Sequence, residues 1–359
     1  MGIENSYSGL DRLLHRLSFS TTAVQIDLAE LEERLFAKQV ADVAASSPVF
    51  ITALPRAGTT LLLELCAELE EFATHCYRDM PFVLLPLFWQ RFSGGFRKSD
   101  KPRERAHGDG MLVNVDSPEA FEEIIWHAMW PAHYQDDRIV PWGAEPQPEF
   151  LSYFRNHLRK ISAVRRSGQS TTPRYISKNN ANICRIGWLS EAFPDARFVI
   201  PFRDFAQHAA SLLRQHNNFL TIHADDPFAR QYMAGICHFD FGANLKPIDF
   251  GSWLDGARHR DPASIGFWVE YWAAAYGDLL RRERANLIFL SYDRFCTEPE
   301  RGLTMLGDFL EIEERDRMTG QAANIRPGRP HEVDLSEVDP AVRQEAAAVL
   351  EQLLQKSRL

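Results

Sequence analysis

Cysteine is scarce in this sequence and has no regular spacing. The 359 residues include five cysteines, an odd number, and they are widely scattered without a C-x-x-C pair. A disulfide framework uses an even set of cysteines at characteristic spacings, and the common zinc sites use closely spaced ligands. The cysteine pattern therefore argues against both, and it predicts reduced thiols in a cytoplasmic protein.

Long apolar runs and a surplus of positive charge are also missing. No stretch approaches the roughly 18–20 uncharged apolar residues that a membrane-spanning helix needs. Residues 1–17 are polar and mixed, so we expect no signal peptide. The formal net charge is −9, whereas a general nucleic-acid-binding protein needs a basic face that displaces counterions. We therefore expect an intracellular protein without a membrane span and without a nucleic-acid partner.

Short apolar stretches alternate with stretches of helical periodicity. Four apolar stretches read as strands followed by helical patterns, at 49–54, 174–178, 197–202 and 286–291. This alternation predicts an α/β fold with a parallel sheet flanked by helices, and with ligands at the carboxyl ends of the strands. Before the first strand, residues 23–45 are predicted to form one helix with Leu28, Leu31 and Leu35 on one side.

The segments between these elements are predicted to be helical and loop insertions into a single domain. The domain spans 1–359, its core covers 48–311, and a C-terminal segment covers 320–359. Long connections inside a compact domain are usually functional or disordered. We therefore expect the insertion at about 93–172 and the irregular, Phe-rich stretch 217–262 to lie beside the binding site or to form a lid.

The connection between the first strand and its helix has the composition of an anion-binding loop. It reads Pro55-Arg56-Ala57-Gly58-Thr59-Thr60. A helix start leaves backbone N–H groups unpaired and carries the positive end of the helix dipole. Gly58 allows close approach of a ligand, the threonine hydroxyls can donate hydrogen bonds, and Arg56 offers a planar fork of donors. A plain strand-to-helix turn with a threonine cap is the alternative interpretation.

This loop lacks the P-loop signature of kinases and GTPases. The signature G-x-x-x-x-G-K-[ST] needs a second glycine and a lysine after it, and neither is present. A second anion contact is predicted at Arg203, which follows the strand at 197–202, with Ser211 eight residues later. A guanidinium and a hydroxyl can together hold a phosphate. An ion pair between Arg203 and Asp204 is the alternative.

Four segments in order resemble the sulfotransferase family. Pro55–Thr60 is similar to its P-[KR]-[ST]-G-T-[TS] loop, and Phe193–Asp204 with Ser211 is similar to its F-P-x-A-[KR]-[FI]…R-D strand. Tyr292-Asp293 resembles Y-E-x-[LF], and Lys178 matches the lysine of K-[ST]-P. The resemblance covers about 48–311 and implies the P-loop-NTPase-like sulfotransferase fold. Arginine rather than lysine in the loop favours the bacterial, tyrosylprotein and Golgi-like branches.

The resemblance implies a nucleotide donor, 3′-phosphoadenosine-5′-phosphosulfate (PAPS), and a role for each matching residue. The loop would bind the 5′-phosphosulfate, and Arg203 with Ser211 would bind the 3′-phosphate. Tyr292 would help to hold the nucleotide, and Arg326 with Arg329 would close over it. Three departures from the family pattern stand beside these matches: Asn179-Asn180 after Lys178, Phe205 after R-D, and Ile325–Arg329 instead of a clean R-K-G.

The implied reaction is an in-line transfer of SO₃ to a hydroxyl or amine. Charge develops on the bridging oxygen, where Arg56 and Lys178 can stabilise it, and the resemblance implies no metal. The acceptor hydroxyl needs a base. Asp79 lies at a suitable distance after the loop helix, with His75 as second candidate; a salt bridge between Asp79 and Arg78 is the alternative.

Other functions remain open at this point. A P-loop phosphotransferase would explain the loop but not Arg203 and Ser211. A nucleotide-binding protein without catalysis would use both. An interaction protein would use the aromatic residues of 217–262, although Trp130, Trp142, Phe219 and Phe239 could equally form the walls of an acceptor pocket. The acceptor could be a small metabolite, carbohydrate, lipid or peptide, and the oligomeric state stays open.

Overall fold

A five-stranded parallel sheet forms the centre of the protein, with strand order β2-β5-β1-β6-β7. Its strands are β1 (Val49–Ile51), β2 (Phe72–Ala73), β5 (Arg174–Lys178), β6 (Arg197–Phe202) and β7 (Leu287–Ser291). A separate antiparallel pair consists of β3 (Arg103–Glu104) and β4 (Leu112–Val113). The structure is a computed structural model that describes residues 9–92, 103–104, 112–113, 117–166, 172–282, 284–328 and 331–359.

The strands are apolar because helices cover both faces of the sheet. Phe50 of β1 belongs to a core cluster on one face, whereas Val49 and Ile51 belong to the cluster on the other. Side chains of a strand alternate between faces, and burial on both faces produces the continuous apolar runs seen in the sequence. The predicted α/β fold is therefore confirmed, with the strands at 174–178 and 197–202 on the expected residues.

The described part of the chain contains sixteen α-helices around this sheet. They are α1 (Gly9–Ser20), α2 (Thr22–Leu35), α3 (Ala37–Val40), α4 (Thr59–Ala67), α5 (Pro86–Phe92), α6 (Glu123–Met129), α7 (Pro148–Arg165), α8 (Ile186–Ala192), α9 (Phe205–Asp225), α10 (Pro227–Gly235), α11 (Trp253–Gly256), α12 (Ile265–Arg281), α13 (Tyr292–Thr297), α14 (Pro299–Leu310), α15 (Arg315–Thr319) and α16 (Pro340–Lys356). Each of the five cysteines is a buried free thiol.

The prediction of an irregular segment over 217–262 is wrong for its first half. Helix α9 continues to Asp225, and α10 follows at once. Asp226 caps α10 by accepting a hydrogen bond from the Ala229 N–H at 3.0 Å, and Pro227 occupies the first helical turn, where its missing N–H costs nothing. Tertiary burial of Phe219 in the core outweighs the weak helix propensity of the surrounding residues.

The N-terminal helix also departs from its prediction. The predicted single helix over 23–45 is divided into α2 and α3, which are separated by Phe36. The side of α2 that faces the protein carries Gln25, Ala29 and Glu32, and the leucines of the apolar side are exposed. Glu32 is buried because the Lys160 ammonium of α7 lies 2.9 Å from it. A polar anchor rather than an apolar stripe therefore holds this helix.

Candidate active site

Three adjacent strands bring the candidate residues to one edge of the sheet. In the register of the sheet, Ile51 of β1 pairs with Lys178 at the end of β5 and with Val199 of β6. The carboxyl ends of parallel strands lie at the same edge. Lys178, the loop Pro55–Thr60 and Arg203 therefore follow neighbouring strands and lie side by side.

The loop after β1 contains two residues with positive φ angles. Arg56 has φ 70°, a rare conformation for a residue with a side chain, and Gly58 has φ 97°. A Cβ atom on Gly58 would lie 2.2 Å from the ring of Tyr292, so glycine is required there. The Arg203 guanidinium carbon lies 5.7 Å from the centre of the same ring. Tyr292 thus packs between the loop and Arg203, where burial raises the pKa of its hydroxyl.

The start of α4 offers donors for an anion. Gly58 is the N-cap residue and has no side chain that could satisfy the first N–H groups of the helix. Ala57 is fully buried, Thr59 is buried and Thr60 is half-buried. The Thr59 hydroxyl donates to Oδ1 of Asn180 at 3.4 Å, a long bond that a better acceptor can replace. This end of the helix therefore has the chemistry of a phosphate or sulfate site.

His208 binds the loop through a hydrogen bond, and the sequence analysis did not identify this residue. Its Nε2 donates to the Pro55 carbonyl at 2.8 Å, and its Nδ1 accepts from the indole N–H of Trp272 at 3.1 Å. Burial lowers the pKa of His208 to about 3, so the ring is neutral and its tautomer is set by these two partners. Asp204, His208 and Ser211 share one face of α9 at i, i+4 and i+7, a spacing that could have revealed it.

The two predicted anion sites meet in the fold. The Arg56 Nε donates to the Ser211 hydroxyl at 3.5 Å, and the Arg203 Nη1 donates to the Arg56 carbonyl at 3.4 Å. Within the described residues, the Arg203 Nε is buried and has no hydrogen-bond partner, although Asp293 lies 3.6 Å away. Asp204 instead caps α9. The alternative ion pair of Arg203 with Asp204 is therefore not formed, and Arg203 keeps a donor for a ligand.

The C-terminal segment reaches the first turn of α9. The Gln207 amide donates to the His331 carbonyl at 2.6 Å, and its oxygen accepts from the His331 N–H at 3.0 Å. Arg326 is exposed and follows Ile325, whose side chain is buried in the core. Arg329 lies outside the described residues. His331 thus contacts the first turn of α9, the helix that follows Arg203.

A polar chain leads from the loop to residues that the sequence did not single out. The Asn180 amide, which follows Lys178 closely, donates to Oδ2 of Asp240 at 3.0 Å. The same oxygen lies 3.7 Å from Nε2 of His238. Burial and the positive charge of Lys178 lower the pKa of His238, against the opposing effect of Asp240 and Glu119. His238 is therefore a half-buried, neutral imidazole within the electrostatic reach of Lys178.

Asp79 is buried at the outer strand rather than open at the site. Its Oδ2 accepts from Nη2 of Arg165 at 2.5 Å and from the Cys76 N–H at 2.9 Å. Burial alone would raise the pKa of Asp79, but Arg165 and His75 outweigh it and hold the pKa far below its ordinary range. The carboxylate is thus a poor proton acceptor. The carboxylate forms an ion pair with Arg165, and these contacts favour a structural role.

His75 shares this buried setting. Its Nδ1 lies 3.5 Å from Asp79, and its Nε2 lies 3.2 Å from Nε2 of His157, on which it stacks. Both imidazoles are 1% exposed. One ring must donate and the other accept across the 3.2 Å contact, so neither nitrogen of that pair faces an acceptor molecule.

The candidate pocket walls are mostly core residues. Trp130, Trp142 and Phe219 are buried in the larger core cluster, and Trp130 stacks on Trp142. Phe239 is half-buried and packs against Tyr134. Of the four aromatic residues, Phe239 has the exposure that a pocket wall needs.

The described residues contain neither a metal site nor a membrane-spanning helix. They contain no group of three or more His, Cys, Asp or Glu side chains that could hold a metal ion. None of their helices is both long enough and apolar enough to span a membrane.

Comparisons with known proteins identify a matching family and similar solved structures. The sulfotransferase family model matches residues 48–238, just over half of the chain. A sulfotransferase from Mycobacterium avium is 14% identical, with a TM-score of 0.50, over 91% of this chain and 83% of that one. A sulfotransferase from Mycobacterium tuberculosis H37Rv is 14% identical, with a TM-score of 0.43, over 89% of this chain and 81% of that one. No curated protein sequence matches the chain.

Proposed function

The chain belongs to the sulfotransferase family, and on that premise we propose that it transfers a sulfuryl group from PAPS to a hydroxyl or amine of an acceptor. The observation that carries the donor assignment is the meeting of Arg56, Arg203 and Ser211. A donor with phosphates on both its 5′ and 3′ oxygens needs two neighbouring anion sites, because both groups are attached to one ribose. The loop supplies one, and the end of β6 with α9 supplies the other.

The fit of the donor rests on unsatisfied donors at both ends. The N–H groups at the start of α4 have no side-chain cap, and the buried Arg203 Nε has no hydrogen-bond partner among the described residues. Charge-assisted hydrogen bonds to phosphate oxygens would satisfy both. The hydrogen bond from His208 to the Pro55 carbonyl would hold the loop in its anion-binding conformation.

The transfer step places negative charge where this site has positive charge. The acceptor oxygen forms a bond to sulfur while the bond from sulfur to the bridging phosphate oxygen breaks, and 3′,5′-ADP leaves. Arg56 and Lys178 lie on neighbouring strand ends and would stabilise the bridging oxygen and the transferring group. We assign them this role because a guanidinium and an ammonium held by the sheet edge need no reorganisation during the reaction.

The acceptor proton requires a base, and we assign this role to His238 rather than to Asp79 or His75. His238 is neutral, half-buried and next to Asp240, which would stabilise the imidazolium after it takes the proton. Asp79 and His75 are enclosed by Arg165 and His157. In this proposal the proton moves from the acceptor oxygen to His238, and Asp79 supports the fold.

Ligand-induced thermal stabilisation tests the donor assignment. A ligand that binds only the folded protein raises stability by mass action. We expect 3′,5′-ADP to raise the melting temperature, and 5′-AMP and ATP at equal concentration to raise it much less. Ser211→Ala should reduce the difference between 3′,5′-ADP and 5′-AMP. An equal shift with 5′-AMP, or a larger shift with Mg-ATP, would contradict the proposal.

A further inference from the structure

Helix α2 presents an apolar stripe to solvent. Val24, Leu28, Leu31 and Leu35 are 54%, 39%, 46% and 64% exposed. Their spacing of four, three and four residues places them on one line along the helix. This is the spacing by which one helix packs against another in a coiled coil, and exposed leucines in a contiguous row mark an interaction surface rather than ordinary surface composition.

The helix cannot turn this stripe inward. On its opposite side, Lys160 forms the buried ion pair with Glu32 and also donates to the Ala29 carbonyl at 3.0 Å. The Asn156 amide donates to Glu33 at 2.9 Å. Rotation of α2 would leave the Lys160 and Glu32 charges buried and unpaired, which is strongly unfavourable. The stripe is therefore held rigidly on the surface.

The charged residues beside the stripe favour one arrangement of two identical α2 helices. Asp27 and Arg34 are exposed on the same flank, one helical repeat of seven residues apart. In this chain Arg34 has an ion pair with Glu30 at 3.7 Å, but both side chains are 79% exposed and such a pair contributes little. An antiparallel partner helix of identical sequence brings Asp27 of each copy near Arg34 of the other, and it also opposes the two helix dipoles.

We propose that the α2 stripe joins two copies of this chain as an antiparallel, two-fold symmetric helix pair. Val24 would lie opposite the partner's Leu35, and Leu28 opposite the partner's Leu31, so that each contact occurs twice. Asp27 then lies near the partner's Arg34. A single helix pair buries less than a standard interface, so the association is a reversible equilibrium between monomer and dimer.

Analytical ultracentrifugation of the full chain over a range of concentrations tests the pairing. The wild type is expected to show a monomer–dimer equilibrium, and Leu28→Glu with Leu31→Glu should weaken it at least tenfold. The matched control adds the same two charges at exposed alanines outside the stripe, Ala23→Glu and Ala37→Glu, and should dimerise like the wild type. Unchanged binding of 3′,5′-ADP by each variant shows that it is folded and separates this test from that of the donor.

A charge swap distinguishes the antiparallel arrangement. Asp27→Arg alone and Arg34→Asp alone should each weaken the dimer, whereas both together should restore it. A wild type that stays monomeric at every concentration, or a dimer indifferent to the leucine substitutions, overturns the proposal. Failure of the double swap to restore association also overturns it. Binding of the monomer to vesicles of equal phosphatidylcholine and phosphatidylglycerol through the stripe, without pairing, would assign the surface to lipid instead.

Discussion

Replacing Asp79 by alanine should lower the unfolding free energy of the protein without removing an active-site base. The Asp79 side chain is 5% exposed and that of Arg165 is 16% exposed, and their 2.5 Å contact is accompanied by the bond from the Cys76 N–H. After the substitution, the Arg165 guanidinium keeps the Thr74 carbonyl as an acceptor at 3.0 Å but has lost its counter-charge.

The magnitude follows from the burial of the pair. Removing one partner of a buried ion pair costs about 3–5 kcal/mol of unfolding free energy, because the other charge stays uncompensated. Asp79→Asn should cost less, since its amide oxygen can still accept from the Cys76 N–H. Removing both charges, with Asp79→Leu and Arg165→Met, should recover much of the loss. Because the pKa of Asp79 is depressed in the fold, its stabilisation is present at neutral pH and declines as the pH falls below about 3.9.

Urea unfolding followed by tryptophan fluorescence measures the stability, and release of 3′,5′-ADP from PAPS measures transfer to water or to an acceptor found by screening. The transfer rate of folded Asp79→Asn is expected to lie within about twofold of the wild-type rate. His238→Asn should have the stability of the wild type, but its transfer rate should fall at least about a hundredfold, as removal of a general base does. The reverse outcome, with Asp79→Asn fully stable but inactive, would refute the structural assignment of Asp79.

Three further predictions concern the loop, the buried histidines and the 3′-phosphate. Gly58→Ala should abolish stabilisation by 3′,5′-ADP and cost about 2–4 kcal/mol, because of its φ of 97° and the clash with Tyr292; Gly320→Ala, with no atom near its new Cβ, is the control. Burial and the charges of His75 and Lys160 hold the pKa of His157 well below its ordinary value. The unfolded chain therefore binds the extra proton first, and stability measured by urea should fall as the pH drops below about 6.5, by up to about 1.4 kcal/mol per pH unit; a flat profile there would contradict it. Ser211→Ala should weaken the binding of 3′,5′-ADP about 10- to 100-fold, as expected for the loss of a hydrogen bond to a charged group. The affinity for 5′-AMP should not change, and calorimetry measures both.

Local patterns were sufficient for four of the five strands of the sheet, for the loop and for the position of Arg203, but they missed the short strand β2. Apolar strands followed by helices are a short-range signal, and a parallel sheet necessarily gathers the residues after its strands at one edge. For that reason Lys178, the loop Pro55–Thr60 and Arg203 could be predicted as neighbours without knowledge of their contacts.

Tertiary structure alone decided which of the remaining side chains are open and which are enclosed. Asp79 meets Arg165 across 86 residues, and Asn180 meets Asp240 across 60. No local spacing encodes such contacts, because they depend on how the helices and the long connections pack on the sheet. The apolar stripe of α2 shows the same limit. Its periodicity is visible in the sequence, but the buried ion pair of Glu32 with Lys160 decides that the leucines face solvent rather than the core.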